Sequence, residues 1–136
     1  MNNGIGKKVS PSMDAWLKEA KNDSAAAQEG MLLIHNGVVR QTAKAKVRNG
    51  IDDGLLVTGM QFSYDEEKVE AAIAETREMS GIFHVRAWIN EGQLEIGDDI
   101  MYVLIGGDIR PHVVDALQFL VGKIKSECVT EIEQFV

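Results

Sequence analysis

The chain has 136 residues and a formal net charge of −7 at pH 7. This length suits one compact domain with a single core, and the acidic balance argues against general nucleic-acid binding, which needs a basic surface. Hydrophobic residues make up 45% and charged residues 26%, as in ordinary globular proteins, and we expect no membrane-spanning segment because no apolar run is long enough. Cys128 is the only cysteine, which favours a reducing compartment, and we expect the cytoplasm.

The first part of the chain predicts a short tail and then a helix. Residues 1–9 are rich in Asn, Gly and Lys and predict a flexible tail, while residues 10–136 predict the single domain. Ser10 suits the N-cap of a helix and Pro11 its first position. The apolar stripe of this helix consists of Met13, Trp16, Leu17 and Ala20.

Two strands and a basic loop follow. Residues 31–39 are apolar and partly β-branched and predict a buried strand, in which Gly37 indicates a bulge or a close backbone approach. Residues 55–62 predict the next strand. The intervening stretch, 40–53, predicts a mobile polar loop. Its basic residues are Arg40, Lys44, Lys46 and Arg48.

The second helix is predicted to begin at Ser63, with Glu66 completing a capping box, and to end at Gly81. Its buried face is predicted to consist of Val69, Ala72, Ile73 and Thr76. Residues 82–89 alternate in polarity and predict a half-buried strand.

The last elements are a strand and a long helix. Residues 100–105 form a continuous apolar run and predict a central strand. Asp108 is predicted to cap the following helix, with Pro111 in its first turn, and residues 129–136 predict no definite element. Helices and strands do not alternate strictly, so the fold class is predicted as α+β with a mainly antiparallel or mixed sheet.

A candidate anion site lies where the central strand meets the last helix. Residues 106–110 (GGDIR) place glycines and Arg110 at a helix N-terminus, where backbone N–H groups and the helix dipole favour a phosphate or carboxylate. His112 is close enough in sequence to contribute. The alternative is a tight connection with a solvated arginine. The histidines and Cys128 lack the spacing of a metal motif, so we predict no metal site and no cofactor.

Several segments in a fixed order resemble the large, catalytic subunit of molybdopterin synthase. Gly37–Arg40 (GVVR) is similar to the family's G-x-V-R, and Gly92–Asp98 (GQLEIGD) to its G-x-L-x-x-G-[DE]. The strand that runs into Arg110 resembles the segment ending in S-A-H-R. The same register continues through Ala116, Phe119 and Lys125, and Glu67–Lys68 matches a Glu-Lys of the family's first long helix. The resemblance covers about 30–125.

The resemblance implies an α/β hammerhead-like domain that forms a homodimer and binds a small ubiquitin-like sulfur-carrier subunit. The carrier's C-terminal Gly-Gly thiocarboxylate would give sulfur to cyclic pyranopterin monophosphate, yielding molybdopterin. Lys125 corresponds to the first of two active-site lysines in this family. Arg40, Arg110 and His112 are the predicted substrate-binding residues, since the substrate carries a phosphate.

Two departures from the family pattern leave alternatives open. Ile109 stands where the family has the histidine of S-A-H-R, and Ile132 stands where it has the second lysine. His112 and His35 are possible substitutes for the lost imidazole. The alternatives are a catalytically impaired member that binds the carrier or a phosphate-bearing ligand, and a phosphate or nucleotide binder outside this chemistry.

Overall fold

The computed structural model describes residues 6–42, 50 and 56–135. The helices are α1 (Met13–Lys21), α2 (Glu66–Arg77) and α3 (Arg110–Lys123), and the strands are β1 (Met31–Val38), β2 (Val57–Tyr64), β3 (Ile82–Ile89), β4 (Gly92–Glu95), β5 (Asp99–Gly107) and β6 (Val129–Phe135). A short 3-10 turn (Ala26–Gln28) precedes β1, and a π-helical turn (Ile124–Cys128) joins α3 to β6. The fold is α+β, as predicted, and no helix in the described part is long and apolar enough to cross a membrane.

Within the described residues, six strands form two antiparallel sheets of three, in the orders β1-β5-β3 and β4-β2-β6. The predicted central strand is confirmed, because β5 pairs with both neighbours and its residues Met101 and Val103 to Ile105 are fully buried. The register of β1 against β5 shifts between Gly37 and Val38, which confirms the predicted bulge.

The β1-β5-β3 sheet separates two clusters of buried side chains. Val103 and Ile105 pack into the main core with α2, α3 and the second sheet, whereas Leu104 packs against Trp16 and Ala20 of α1. Side chains of a strand point alternately to its two faces, so β5 serves both clusters. The predicted buried face of α2 is confirmed: Val69, Ala72, Ile73 and Thr76 are all buried.

The starts of α1 and α2 differ from the prediction, because in each case a later residue provides the cap. Ser12, not Ser10, caps α1, and its Oγ accepts a hydrogen bond from the Ala15 N–H at 3.2 Å. Asp65 caps α2 by accepting from the Lys68 N–H at 3.1 Å, while Ser63 still belongs to β2. A carboxylate is as good a cap as a hydroxyl and adds a favourable charge at the helix N-terminus.

The end of α2 also differs from the prediction, and the strands β4 and β6 were not predicted. α2 ends at Arg77, and Gly81 lies in the turn beyond it with φ +75°. β4 and β6 lie in stretches where no strand was predicted, and both pair with β2.

The predicted tail and basic loop lie partly outside the described residues, which do not include 1–5, 43–49 or 51–55. The described end of the tail contacts the domain. The Lys8 N–H donates to Asn90 Oδ1 at 2.7 Å, and its ammonium donates to the Tyr64 hydroxyl at 2.9 Å.

Candidate functional site

A cavity of about 230 Å³ lies where the two sheets meet, beside the bulge of β1. Its polar lining residues are His35, Arg40, Lys125, Glu131 and Glu133, and its apolar ones include Met60, Ile100 and Met101. Two predicted site residues, Arg40 and Lys125, therefore share one cavity although they are far apart in sequence. A concave site in which a few polar groups converge is a common form of ligand site.

The π-helical turn places Lys125 at this cavity. Ile124 and Cys128 are buried and anchor the turn, and the Ser126 hydroxyl donates to the Gly122 carbonyl at 2.8 Å. An extra residue per turn rotates the side chains that follow, so Lys125 is directed differently than in a continued α-helix. Such turns are rare and frequently lie at functional sites. The sequence alone did not predict this one.

Arg40 reaches the cavity because β1 ends just before it. The bulge at Gly37 and Val38 turns the chain, and Val39 is buried beneath. The Nε–H of Arg40 donates to the Thr42 carbonyl at 3.0 Å, which orients the guanidinium. A guanidinium held in this way suits the planar, paired hydrogen bonds that a phosphate or carboxylate accepts.

His35 lies on β1 and is half-buried at the cavity wall. Burial lowers the pKa of its imidazole below the usual 6.5, and the nearby positive charge of Lys125 lowers it further. The ring is therefore neutral at pH 7. The sequence identified His35 only as a possible substitute for the missing family histidine.

Two carboxylates line the same cavity from β6. Glu131 and Glu133 lie on the inner face of this strand, and Glu131 Oε1 is 3.9 Å from the Lys125 ammonium. Ile132, between them, points the other way and is 58% exposed. Position 132, which the resemblance matches to the family's second lysine, therefore faces away from the cavity, and its acidic neighbours face into it.

The structure does not bring Arg110 and His112 to this cavity. Both lie at the start of α3, beyond the C-terminal end of β5, whereas Ile100 and Met101 line the cavity near the N-terminal end of that strand. At about 3.4 Å per residue, the two ends are roughly 20 Å apart. Two of the three predicted substrate-binding residues are thus separated from Arg40 and Lys125 within one chain.

The N-terminus of α3 already holds a carboxylate of the chain itself. Asp108 Oδ1 accepts from the Ile109 N–H at 2.7 Å and lies 2.7 Å from His112 Nδ1. The hydrogen bond with His112 is the main reason why the pKa of Asp108 is lowered from its usual 3.8. The N-cap residue is Ile109 rather than Asp108, and Pro111 offers no N–H in the first turn.

A sequence model of the MoaE protein family matches residues 11–127. The chain belongs to the MoaE family. No curated protein matches it.

Solved structures share this fold at low sequence identity. Molybdopterin synthase from Staphylococcus aureus superimposes with a TM-score of 0.71 at 16% identity, over 94% of this chain and 88% of that one. A MoaE protein from Burkholderia ambifaria MC40-6 gives 0.69 at 19%, over 94% and 84%. The complex of subunits 1 and 2 of molybdopterin-converting factor from Helicobacter pylori 26695 gives 0.62 at 16%, over 89% and 74%.

Family membership supports a role in molybdenum cofactor biosynthesis for this MoaE chain. Its cavity combines two cations, one neutral imidazole and two carboxylates. This set can bind an anion, hold it in one orientation and move a proton, but its carboxylates oppose a ligand of high negative charge. Ile109 is 52% exposed and lies beside Arg110, outside the cavity.

Proposed function

We propose that this chain is the large subunit of a molybdopterin synthase. It transfers sulfur from the thiocarboxylated C-terminus of a small carrier subunit to cyclic pyranopterin monophosphate, giving molybdopterin. The observation that carries the proposal is the shared cavity of Lys125 and Arg40, the two predicted residues whose chemistry fits an acyl donor and a phosphate. The two-subunit complex from Helicobacter pylori supports a small carrier partner.

Lys125 is the proposed catalytic residue. Its ammonium can stabilise the negative charge that develops when the carrier's acyl group is attacked and its sulfur is transferred. The π-helical turn sets the position of this group. Arg40 binds the phosphate of the substrate, since a guanidinium can donate two parallel hydrogen bonds to it.

Arg110 and His112 are proposed to contact substrate from a second copy of the chain. They lie at the far end of β5 from the cavity of their own chain, so one copy cannot bring all four residues to one ligand. A homodimer that places the α3 N-terminus of one copy beside the cavity of the other would complete the site.

A second candidate function is a catalytically impaired family member that binds the carrier or a phosphate-bearing ligand. The observation that favours it is the acidic lining from β6. Glu131 and Glu133 face the cavity, and no lysine stands at position 132. Both changes lower the affinity expected for an anionic substrate.

The deciding experiment is a reconstitution with thiocarboxylated carrier and cyclic pyranopterin monophosphate, assayed for molybdopterin. The synthase proposal expects product, and it expects Lys125→Ala to lower the rate on the order of a hundredfold. Lys123→Ala is the matched control, because Lys123 ends α3 but pairs with Glu75 and Glu127 instead of lining the cavity. Full activity of Lys125→Ala would refute the role of this lysine.

Carrier affinity, measured by calorimetry on the same preparation, separates the two candidate functions. Product formation supports the synthase. Carrier binding without product supports the impaired binding module. The absence of both refutes the synthase and restricts the second candidate to the binding of a phosphate-bearing ligand.

A further inference from the structure

The formal charges of the cavity cancel when it is empty. Among its described lining residues, Arg40 and Lys125 are cations and Glu131 and Glu133 are carboxylates. A dianionic group that enters between the two cations therefore gains little from the site as a whole. Together with these four residues of one chain, a further positive charge is needed to hold such a group well.

Among the described lining residues of one chain, His35 is the side chain that can supply this charge near neutral pH. In the empty site its ring stays neutral, because it is half-buried and lies near Lys125. A dianion bound between Arg40 and Lys125 places negative charge beside the imidazole, where the empty site has the positive charge of Lys125. The bound anion then favours the imidazolium, which the empty site disfavours.

We propose that the cavity binds the dianionic group of its ligand between Arg40 and Lys125 and that His35 takes up one proton as the group binds. His35 thereby becomes the third cation among the described lining residues of one chain. The coupling rests on the cavity alone, and the inference rests on the proposed function only for the identity of the natural ligand. The cyclic phosphate of the substrate is a diester with one negative charge, so the natural dianion is the ring-opened phosphate monoester on the product side.

The charged groups around His35 set the direction of the coupling. Lys125 faces it from the π-helical turn, Arg40 from the end of β1, and Glu131 and Glu133 from β6. The carboxylates favour the imidazolium but make their own interactions, including the 3.9 Å approach of Glu131 to Lys125. The empty and the occupied cavity differ in the presence of the anion. The affinity of the cavity for the anion must therefore rise as pH falls through the titration range of His35.

The experiment uses sulfate as the probe, because it remains a dianion across the pH range of histidine titration. The three imidazoles are followed by NMR from pH 5 to 8, with and without sulfate, and His35→Gln identifies the signal of His35. His84 lies outside the cavity and serves as the internal reference, whereas His112 reports on an anion at the start of α3. Saturating sulfate is expected to raise the midpoint of the His35 titration by about one unit, which corresponds to about tenfold tighter sulfate binding at low pH than at high pH.

In His35→Gln sulfate should still bind, with an affinity that no longer depends on pH, whereas Arg40→Gln should weaken binding itself at least fivefold. Unchanged pH dependence in His35→Gln would overturn the inference. So would a sulfate response at His112 instead of His35, which would place the anion at the start of α3, or no response at any histidine. The titration needs neither carrier nor pterin, so an inactive protein that still shows coupled sulfate binding would refute only the sulfur-transfer function.

Discussion

The Lys125 ammonium lies 3.9 Å from the Glu131 carboxylate, which is only 12% exposed. The two residues come from different elements, the π-helical turn and β6, and they meet at the wall of the cavity. This ion pair lowers the affinity of the cavity for an anionic ligand. An anion that approaches Lys125 must compete with a carboxylate that is already beside it.

Removing either cavity carboxylate should therefore tighten anion binding. Glu131→Gln and Glu133→Gln each keep the size of the side chain and remove its negative charge. We expect sulfate to bind about three- to tenfold more tightly in each variant at low salt, with a smaller gain at high salt because the interaction is screened. Calorimetric or NMR titration measures this directly.

Glu127→Gln is the control for this pair of variants. Glu127 lies on the same π-helical turn, but it pairs with Lys123 at 3.2 Å and does not line the cavity. Its variant should bind sulfate as the natural chain does. Equal gains in all three variants would mean that net charge, and not the cavity, determines affinity.

The contact between Asp108 and His112 predicts a pH effect on stability. The folded state lowers the pKa of Asp108 below its usual 3.8, mainly through the hydrogen bond with His112. A lowered folded-state pKa contributes stability above the usual value, and this contribution is lost as pH falls through the lowered value. Asp108→Asn should therefore be less stable than the natural chain at pH 5, and the gap should narrow towards pH 3.

Urea unfolding at several pH values measures this gap. The effect should be small, because Asp108 and His112 are both more than one-third exposed and water screens their interaction. A gap that stays constant from pH 5 to pH 3 would show that the carboxylate contributes through packing and not through its charge.

The parts of the fold that the sequence predicted are those with a clear hydrophobic period. The buried face of α2 repeats with helical spacing, and β5 is a continuous apolar run, so both were recognised. β6 was not predicted because its inward positions carry Glu131 and Glu133 instead of apolar side chains. The side chains of this strand do alternate between its two faces, but the inner face is marked by charged residues and not by hydrophobic ones.

The features of the candidate site were likewise predicted only in part. Arg40 and Lys125 were assigned from family resemblance, and the structure places them at one cavity. The separation of Arg110 from them depends on strand length and chain path, which local patterns do not encode. The π-helical turn at Lys125 has no known local signature comparable to a cap or a turn dipeptide.

Asn90 should be important for stability because it ties three backbone segments together while only 2% exposed. Its Oδ1 accepts from the N–H groups of Lys8 and Glu91 at 2.7 and 2.9 Å, and its Nδ2 donates to the Asp99 carbonyl at 2.9 Å. Asn90→Ala leaves these groups without the side-chain partner. We expect a loss of about 2–3 kcal/mol in the free energy of unfolding.

Asn36→Ala is the matched control for Asn90→Ala. Asn36 also contacts Asp99, through a 3.1 Å hydrogen bond to its side chain, but it is exposed. Its loss should cost less than about 1 kcal/mol, since water can replace the bond. Equal losses in the two variants, measured by urea unfolding, would contradict the importance of burial at Asn90.

Gly81 permits the contact between Asp108 and His112, and its substitution should show two separable costs. Its φ of +75° is unfavourable for any residue with a Cβ, and an added Cβ would overlap Asp108 Oδ1 and His112 Nδ1. Gly97 has a similar φ of +90° with no atom within 4 Å of such a Cβ. Gly97→Ala should therefore cost about 1–2 kcal/mol for backbone strain alone.

Gly81→Ala should cost this amount and about 1 kcal/mol more, because the two side chains must rotate apart and give up their hydrogen bond. The atoms in the way belong to side chains, so the domain should still fold and the difference can be measured by urea unfolding. The pKa of Asp108, followed by NMR, should also return towards 3.8 in Gly81→Ala but not in Gly97→Ala. Equal stability losses with an unchanged Asp108 pKa would show that the pair accommodates the added methyl group without separating.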